Sequence, residues 1–195
     1  MPARLRPTAP LAPDAILVGD PGRALLLAQE VLEQPKMSNH ARGLWGYSGR
    51  TAAGDDLTIQ STGMGGPSAA LVLADLAKLG VRRAIRIGTC TAIDPEREAG
   101  ELVLVEAAIA GGGSATSFGL SVGEATKPDS KLLERLRVEL PRASVVRVAS
   151  FDALAADAGP APADVAAADM QTVAVFGRGR ELGMAVAAVL IVAES

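Results

Sequence analysis

The chain has 195 residues, of which 49% are hydrophobic and 21% charged, and its formal net charge is −3. That length fits a single domain of ordinary size, and the mildly acidic balance argues against a nucleic-acid-binding or polybasic membrane-binding surface. One Cys and one His exclude an internal disulfide, a cysteine-rich zinc site and a multi-histidine metal centre. We therefore expect neither a metal nor an organic cofactor.

No stretch of the sequence has the pattern of an export signal or a membrane span. Residues 1–13 are rich in Pro and Arg without an apolar core, and we expect them to form a flexible N-terminal segment rather than a secretory signal. The longest apolar run covers residues 184–193, about half of the ~20 residues that a membrane span needs. The sequence predicts a cytoplasmic protein with no membrane partner.

Short apolar runs alternate with longer amphipathic ones, which indicates an α/β fold. In chain order the pattern predicts a strand at 15–18, a helix at 23–33, a strand at 55–61, a helix at 68–79, strands at 83–88 and 101–108, a helix at 130–140, a strand at 145–149, a helix at 169–182 and a strand at 184–193. The stretch 111–114 is predicted to be a loop, and the Ala/Pro-rich stretch 155–168 a loop or a weak helix. With no visible domain boundary or internal repeat, residues 1–195 are expected to form one domain.

Two glycine-rich turns, at 19–22 and 63–66, each connect a predicted strand to a predicted helix. This arrangement points backbone N–H groups at an anion, but neither turn matches a P-loop or the dinucleotide fingerprint. Each turn is also compatible with an ordinary tight connection. Arg23 lies in the first turn of its predicted helix, where a cation opposes the helix dipole. An anion bound between the backbone amides and this guanidinium would offset the repulsion between the Arg23 charge and the helix dipole.

Arg86 lies inside the apolar run 85–88, in a strand that is expected to be buried on both faces. A buried unpaired charge is costly, so Arg86 must meet either a carboxylate or an anionic ligand, and both alternatives remain open. Thr89 follows at the carboxyl end of that strand, where ligands collect in α/β sheets. The residues alone predict a phosphate-like anion site built from Gly19, Arg23, Arg86 and Thr89.

The same segments resemble the trimeric or hexameric nucleoside phosphorylase family, which includes uridine phosphorylase and bacterial purine nucleoside phosphorylase. The resemblance rests, in the family's order, on GDPGR at 19–23, RG before GYSG within 42–49, STGMGGPS at 61–68, RIGT at 86–89 and DMQT at 169–172. It implies an α/β, three-layer phosphorylase-like fold with a central mixed, twisted β-sheet flanked by helices. It also implies phosphorolysis, in which inorganic phosphate attacks the anomeric carbon of a nucleoside to give a base and a pentose 1-phosphate.

The resemblance assigns the anion site to phosphate, which is then a co-substrate rather than a cofactor. The residues that match the family's phosphate ligands are Gly19, Arg23, Arg42, Arg86 and Thr89. Of these, Arg42 matches a residue that a neighbouring subunit supplies, which implies at least a homodimer, and the family forms hexamers built from dimers. Three guanidinium groups would orient a polyanionic nucleophile, so that positioning and electrostatics carry most of the catalysis.

The remaining roles concern the sugar, the base and proton transfer. The resemblance places Met170 and Gln171 against the ribose. It places Thr91, Phe151 and Leu154 against the base. Arg86 and Glu194 are the expected catalytic residues, Glu194 matching the general acid of the purine-specific enzymes.

The sequence also departs from the family pattern. Gln171 stands where the family has Glu, which removes a charge from the sugar contact; Thr91 replaces a glycine; Leu154 replaces an aromatic residue; and no His precedes His40. Relatives continue beyond the position of Glu194 into a further helix, so an exposed apolar edge is expected near Val192 and Glu194.

Three functions therefore remain open: a nucleoside phosphorylase, a catalytically degenerate family member that binds phosphate or a nucleoside or serves as a structural oligomer, and a nucleoside hydrolase. The sequence names neither the base nor the sugar.

Overall fold

A computed structural model describes the backbone of residues 4–153, 162 and 164–194, and the side chains of the same residues except that of Glu194. The strands are β1 (Asp14–Val18), β2 (Leu32–Asn39), β3 (Gly46–Thr51), β4 (Asp56–Ser61), β5 (Arg83–Ala92), β6 (Leu102–Ala110), β7 (Ala125–Thr126), β8 (Ser144–Ser150), β9 (Ala167–Asp169) and β10 (Ala185–Glu194). The helices are α1 (Pro21–Val31), α2 (Gly66–Lys78), α3 (Ser130–Glu139) and α4 (Thr172–Glu181), with short 3₁₀ segments at Ala41–Gly43 and Gly113–Phe118.

The ten described strands form one mixed sheet in the order β10-β6-β8-β9-β5-β1-β4-β3-β2, with β7 on β6. β1 pairs in parallel with both β4 and β5. Because β10 pairs with β5 as well as with β6, the strands β5, β10, β6, β8 and β9 close into a ring. The predicted α/β class, with a central mixed sheet flanked by helices, is confirmed. The ring closure is an additional feature that the strand pattern did not predict.

The largest hydrophobic cluster lies where α2 and α4 pack against the ring. It includes Leu73 and Leu76 of α2, Phe176 of α4 and Leu190 of β10. Fully burying a Leu or Phe side chain contributes roughly 1.5–3 kcal/mol, so this cluster fixes both helices firmly. The residues directly before these two helices, Gly65 and Gln171, line the cavity described below.

The two glycine-rich turns form the helix starts that the sequence predicts. Pro21 occupies the first position of α1, where its preset φ suits the helix and its missing N–H is no loss. Asp20 caps α1 by accepting a 2.7 Å hydrogen bond from the backbone N–H of Arg23. Before α2, Gly63 and Gly65 have φ values of 73° and 80°, a conformation that favours glycine because it carries no Cβ.

Several element boundaries differ from the predicted ones. α1 ends at Val31 and the chain continues directly into β2, which pairs with β3 through a register with two irregularities. Neither strand was predicted, because Pro35 and the surrounding polar residues hide the alternation of a strand; Pro is tolerated at such sheet edges. β5 extends to Ala92 rather than 88. α4 begins at Thr172 rather than 169, because Asp169 completes β9. The end of the stretch 155–168, predicted as a loop or a weak helix, is therefore a strand, and its residues 155–161 and 163 lie outside the described residues.

From residue 4 onward, the expectation that residues 1–13 form a flexible segment is wrong. The side chain of Leu5 is only 1% exposed and joins the main core. The backbone N–H groups of Arg4 and Leu5 donate to Oδ2 of Asp75 at 2.7 and 3.0 Å, and that of Arg6 donates to Oδ1 of Asn39 at 2.7 Å. Two buried polar side chains therefore hold this segment against the domain.

The exposed apolar edge expected near Val192 is found beside it rather than at it: Val192 is buried in the main core, whereas Ile191 and its cross-strand partner Leu102 are 37% and 38% exposed. None of the four described helices combines the length and apolarity needed to cross a membrane. Among the described residues, no group of three or more His, Cys, Asp or Glu side chains is arranged to hold a metal ion.

Candidate active site

A cavity of about 390 Å³ opens beside the carboxyl ends of β1, β4 and β9. Ligands bind at such strand ends in α/β proteins. Six residues predicted from the sequence lie in its wall: Gly19, Arg23, Arg86, Thr89, Met170 and Gln171.

Three helices begin at this cavity. Its wall contains Pro21 at the start of α1, Gly65 just before α2 and Gln171 just before α4. Each helix N-terminus carries roughly half a positive charge from the aligned peptide dipoles. At α1 and α4, the carboxylates of Asp20 and Asp169 already accept from the N–H groups of Arg23 and Thr172. The backbone therefore makes the cavity attractive to an anion even before any side chain is considered.

Arg86 reaches the cavity from β5 and is only 5% exposed. Its Nη2 donates to Oδ2 of Asp169 at 3.0 Å, its Nη1 to Oε1 of Gln171 at 2.7 Å and its Nε to Oγ1 of Thr172 at 3.3 Å. Of the two alternatives left open by the sequence, the structure shows the carboxylate partner. Because Arg86 also lines the cavity, the ion pair orients its guanidinium beside the space where an anion could bind.

Asp169 is the centre of this buried network. Besides Arg86, it accepts hydrogen bonds from the Ser150 hydroxyl and from both the backbone N–H and the hydroxyl of Thr172. The carboxylate thereby also satisfies the first N–H of α4, where a negative charge is favourable. Asp169 thus links Arg86 rigidly to the sheet and to α4.

Cys90 lies on β5 close to this network but takes no visible part in it. Burial, followed by the negative charges of Asp169 and Glu101, raises the pKa of its thiol to about 12, while Arg86 acts in the opposite direction. Its sulfur lies 3.7 Å from the carbonyl oxygen of Ile191. A thiol with so high a pKa is a small buried side chain rather than a nucleophile.

Gln171 is 4% exposed and bridges the Gly63–Gly65 turn to Arg86. Its Nε2 donates to the carbonyl oxygens of Gly63 and Gly65 at 2.5 and 3.3 Å. Its Oε1 accepts from Arg86 and lies 3.3 Å from the hydroxyl of Thr62. The structure therefore places Gln171 in the wall of the cavity, as predicted, but uses its polar atoms within the protein.

Arg23 stands at the cavity with an exposed side chain. No ion pair involves its guanidinium among the described residues, while the Asp20 carboxylate is held at the N-terminus of α1 by the Arg23 backbone N–H. Arg23 is thus the cation of the wall that is free to contact a ligand.

Arg42 does not reach this cavity. It is exposed, has φ of 60° and ψ of 20°, and lines a separate recess of about 410 Å³ with Arg4, Arg6 and His40. The left-handed conformation costs a non-glycine residue of order 1 kcal/mol or more. Within its own chain, Arg42 therefore lies apart from the other predicted phosphate ligands.

The predicted base contacts are only partly assembled. Phe151 is buried with Ile109, Ala149 and other core residues and is not part of the cavity wall, so its predicted stacking on a base is not supported by this geometry. Thr91 follows Thr89 by two residues on β5, and its backbone pairs with that of Glu194 on β10. Leu154 lies outside the described residues, as does the Glu194 side chain.

The sequence analysis missed the residues that support Arg86. Neither Asp169 nor Thr172 was identified as its partner, although Asp169 directly precedes the predicted sugar-binding pair. Gly88 was also missed: a Cβ built there would lie 2.5 Å from Nη2 of Arg86. The signal was present, because residues two apart on a strand share a face, and a glycine two residues after a buried arginine leaves room for the guanidinium.

Known proteins with similar sequences include nucleoside phosphorylases. A family model described as the Phosphorylase superfamily matches residues 13–195. The DeoD-type purine nucleoside phosphorylase of Oceanobacillus iheyensis is 38% identical over 99 residues, which cover 50% of this chain and 42% of that protein. That of Streptococcus pyogenes is 41% identical over 99 residues, covering 50% and 41%. The chain thus aligns with about two fifths of the length of these curated relatives.

Solved structures extend the similarity to most of the fold. Uridine phosphorylase from Vibrio fischeri, determined in complex with 6-hydroxy-1-naphthoic acid, has a TM-score of 0.84 and 25% sequence identity to this chain. The superposition covers 94% of this chain and 79% of that one. With the family match over residues 13–195, these similarities confirm the resemblance to nucleoside phosphorylases: the chain belongs to the phosphorylase superfamily.

Proposed function

We propose that the protein is a nucleoside phosphorylase, a pentosyltransferase that cleaves the N-glycosidic bond of a nucleoside with inorganic phosphate. The observation that carries the proposal is the convergence of three helix N-termini and two arginines, Arg23 and Arg86, on one cavity. Phosphate is the small anion that such backbone amides and guanidinium groups bind well. A nucleoside substrate is supported by the relatives and by Met170, which lies in the cavity wall beside these groups.

In the proposed reaction, a phosphate oxygen forms a bond to the anomeric carbon while the bond from that carbon to the base breaks. The leaving base takes the bonding electrons and gains a proton on nitrogen. The chain contributes chiefly by holding the phosphate in line and stabilising the developing charges. Arg86 is suited to this because its own orientation is fixed by Asp169. Glu194 remains the predicted source of the proton.

The charges of the cavity support a contribution from a second subunit. Arg86 is matched by Asp169, and Arg23 stands beside Asp20, so the side chains of one chain bring no net charge. A bound phosphate dianion would contact Arg23 and Arg86, but the net positive charge around it would come from the helix ends alone, each worth roughly half a charge. We therefore propose that Arg42, whose recess contains no acidic wall residue, completes the phosphate site of a neighbouring copy in a homo-oligomer.

Turnover of a nucleoside panel tests the reaction. The purified protein should release base from at least one nucleoside when phosphate or arsenate is present, and with phosphate should form a pentose 1-phosphate. Arg23→Ala should lower kcat/KM by about 10²-fold or more, since one positioned charge contributes on that scale. Arg50→Ala is a matched control because Arg50 lies on the surface, paired with Asp56. Release without phosphate would instead identify a nucleoside hydrolase.

Mixing two inactive variants tests whether Arg42 acts between subunits. In a dimer of one Arg23→Ala chain and one Arg42→Ala chain, one site loses both arginines and the other keeps both. Random reassociation into two-fold dimers should therefore restore about one quarter of the wild-type activity. Activity that stays at the level of the separate variants would show that the two arginines serve the same chain or that Arg42 has no role.

A second candidate is a phosphate or nucleoside binder that lacks catalysis. It is favoured by Gln171, whose uncharged side chain is fully engaged within the protein. Phosphate binding by calorimetry, combined with no base release from any nucleoside, would identify this function.

A cytoplasmic location also belongs to the proposal, supported by the single buried, unpaired Cys90.

A further inference from the structure

Gln171 satisfies three of its hydrogen-bonding positions with protein partners alone. A glutamine side chain has two N–H donors and one oxygen with two acceptor positions. Here the donors meet the carbonyl oxygens of Gly63 and Gly65, and the oxygen accepts from Nη1 of Arg86. The hydroxyl of Thr62 lies 3.3 Å from the same oxygen but closer to the carbonyl oxygens of Val18 and Gly63, at 3.1 and 3.2 Å. The bond to Arg86, at 2.7 Å, is charge-assisted and therefore the strongest of the set.

A sugar hydroxyl would gain little by contacting this side chain. To bind it, Gln171 would have to give up a bond to the glycine turn or to Arg86 for one of equal or lower strength. Releasing Arg86 would take the acceptor away from its buried Nη1, which costs more than the new bond returns. The carbonyl oxygens of Gly63 and Gly65 would keep the Thr62 hydroxyl and the Ala69 N–H as neighbours. The geometry thus favours the existing bonds over a sugar contact.

The site also calls for an amide rather than a carboxylate. Two carbonyl oxygens, of Gly63 and Gly65, face the Gln171 side chain and can only accept hydrogen bonds. A carboxylate at position 171 would turn an oxygen that cannot donate towards these two carbonyl oxygens, so that lone pairs would face lone pairs. It would also add a second negative charge beside an Arg86 that Asp169 already neutralises, and an uncompensated buried charge is unfavourable.

We propose that Gln171 is a positioning residue, which ties the glycine turn before α2 to the guanidinium of Arg86 and does not act as a ligand of the sugar. Besides these bonds, the turn is held at its ends by the Ser68 hydroxyl on the Thr62 carbonyl oxygen and by the Ala69 N–H on the Gly65 carbonyl oxygen, while Met64 in its middle is 83% exposed. Discrimination between ribose and 2′-deoxyribose is consequently independent of residue 171. The statement about sugar discrimination rests on the proposed phosphorolysis, whereas the role of Gln171 in holding the glycine turn does not.

Limited proteolysis of Gln171→Glu and Gln171→Met tests the tie without any turnover. Thermolysin cleaves before large apolar residues, so the Gly63–Met64 bond reports opening of the turn. Because the two part-buried hydrogen bonds from Gln171 to the turn are lost in each variant, cleavage there should be about 10-fold faster than in the wild type. The Ser121–Val122 bond is the internal control: Val122 is 65% exposed in a glycine-flanked turn that Gln171 does not touch.

Cleavage at Ser121–Val122 should stay unchanged. Equal acceleration at both bonds would show general destabilisation, and no acceleration at Gly63–Met64 would show that the tie is not needed; either result overturns the proposal. Using two variants guards against one that fails to fold.

The sugar consequence is measured as the ratio of kcat/KM for a ribonucleoside to that for its 2′-deoxy counterpart. Between the wild type and each variant this ratio should change less than about threefold, whereas loss of a direct hydrogen bond to the 2′-hydroxyl would change it about tenfold. A tenfold change refutes the positioning role. If the wild type turns over no nucleoside, the proposed function fails, while the proteolysis result still decides whether Gln171 ties the turn.

Discussion

Replacing Asp169 by Asn should destabilise the protein strongly, because it leaves the Arg86 charge buried without its counter-ion. The change keeps the size of the side chain. The two side chains are 6% and 1% exposed and joined at 3.0 Å, and removing one partner of such a pair costs about 3–5 kcal/mol. The bonds from Ser150 and Thr172 also lose their charge-assisted character. We expect a loss in the free energy of unfolding within this range.

Urea unfolding at one fixed protein concentration measures the effect. Asp56→Asn is the matched control: it breaks the Arg50–Asp56 pair, whose side chains are 69% and 66% exposed, and should cost less than about 1 kcal/mol. The double variant Arg86→Met/Asp169→Asn should be less destabilised than the two single changes together predict, since it leaves no unpaired charge.

Added phosphate makes the test specific to the cavity. In Asp169→Asn, a phosphate ion can replace the missing negative charge, so saturating phosphate should stabilise this variant more than the wild type. An Asp169→Asn cost below 1 kcal/mol, or strictly additive single changes, would refute the reasoning about the ion pair. Equal stabilisation of variant and wild type by phosphate would refute the placement of Arg86 at the anion site.

Three further changes have defined outcomes. The pKa of Cys90 is raised to about 12 in the folded protein, above an unfolded value of about 8.5. The stability that comes from keeping this thiol protonated is complete below pH 8.5 and is lost as the pH rises towards 12. The free energy of unfolding should therefore fall more steeply between pH 8.5 and 10 in the wild type than in Cys90→Ala. Gly88→Ala, whose Cβ would meet Nη2 of Arg86 at 2.5 Å, should weaken phosphate binding in calorimetry by about 10-fold, while Gly113→Ala, with open space around it, should not. Leu5→Ala should lower the free energy of unfolding by about 2–5 kcal/mol; no loss in urea titration would show that the N-terminal segment is not held in the core.

The strand and helix pattern predicted most of the scaffold because the relevant elements have strong periodic signals. The run before Gly19 and the run around Arg86 are nearly pure apolar segments, and they form β1 and β5 as predicted. β2 and β3 were missed because both carry mixed polar residues; β2, at the edge of the sheet, also contains a proline. The packing of residues 4–13 was missed because it depends on Asp75 and Asn39, which are distant in sequence and give no local pattern.

At the site, the sequence could indicate which groups need a partner but not which partner they have. The charge of Arg86 within an apolar strand predicted a buried network, whereas its actual partner, Asp169, is 83 residues away. The resemblance placed Gln171 at the cavity, but only the geometry shows that Gly63 and Gly65 occupy its amide. The resemblance placed Phe151 against the base, and the structure places it in a buried hydrophobic cluster.

The ring of strands has a consequence for the order in which the protein can fold during synthesis. β10 joins β5 to β6, so until residues 185–194 have left the ribosome the ring stays open along two long strands. Unpaired strand edges of this kind promote aggregation. Arg86 and Thr89 lie on one of these edges, since β10 pairs with β5 along Arg83–Thr91. A nascent chain that has made everything up to α4 therefore holds most of the anion site in sequence but lacks the strand that encloses it, and a chaperone that shields apolar strand edges would be most useful during this interval.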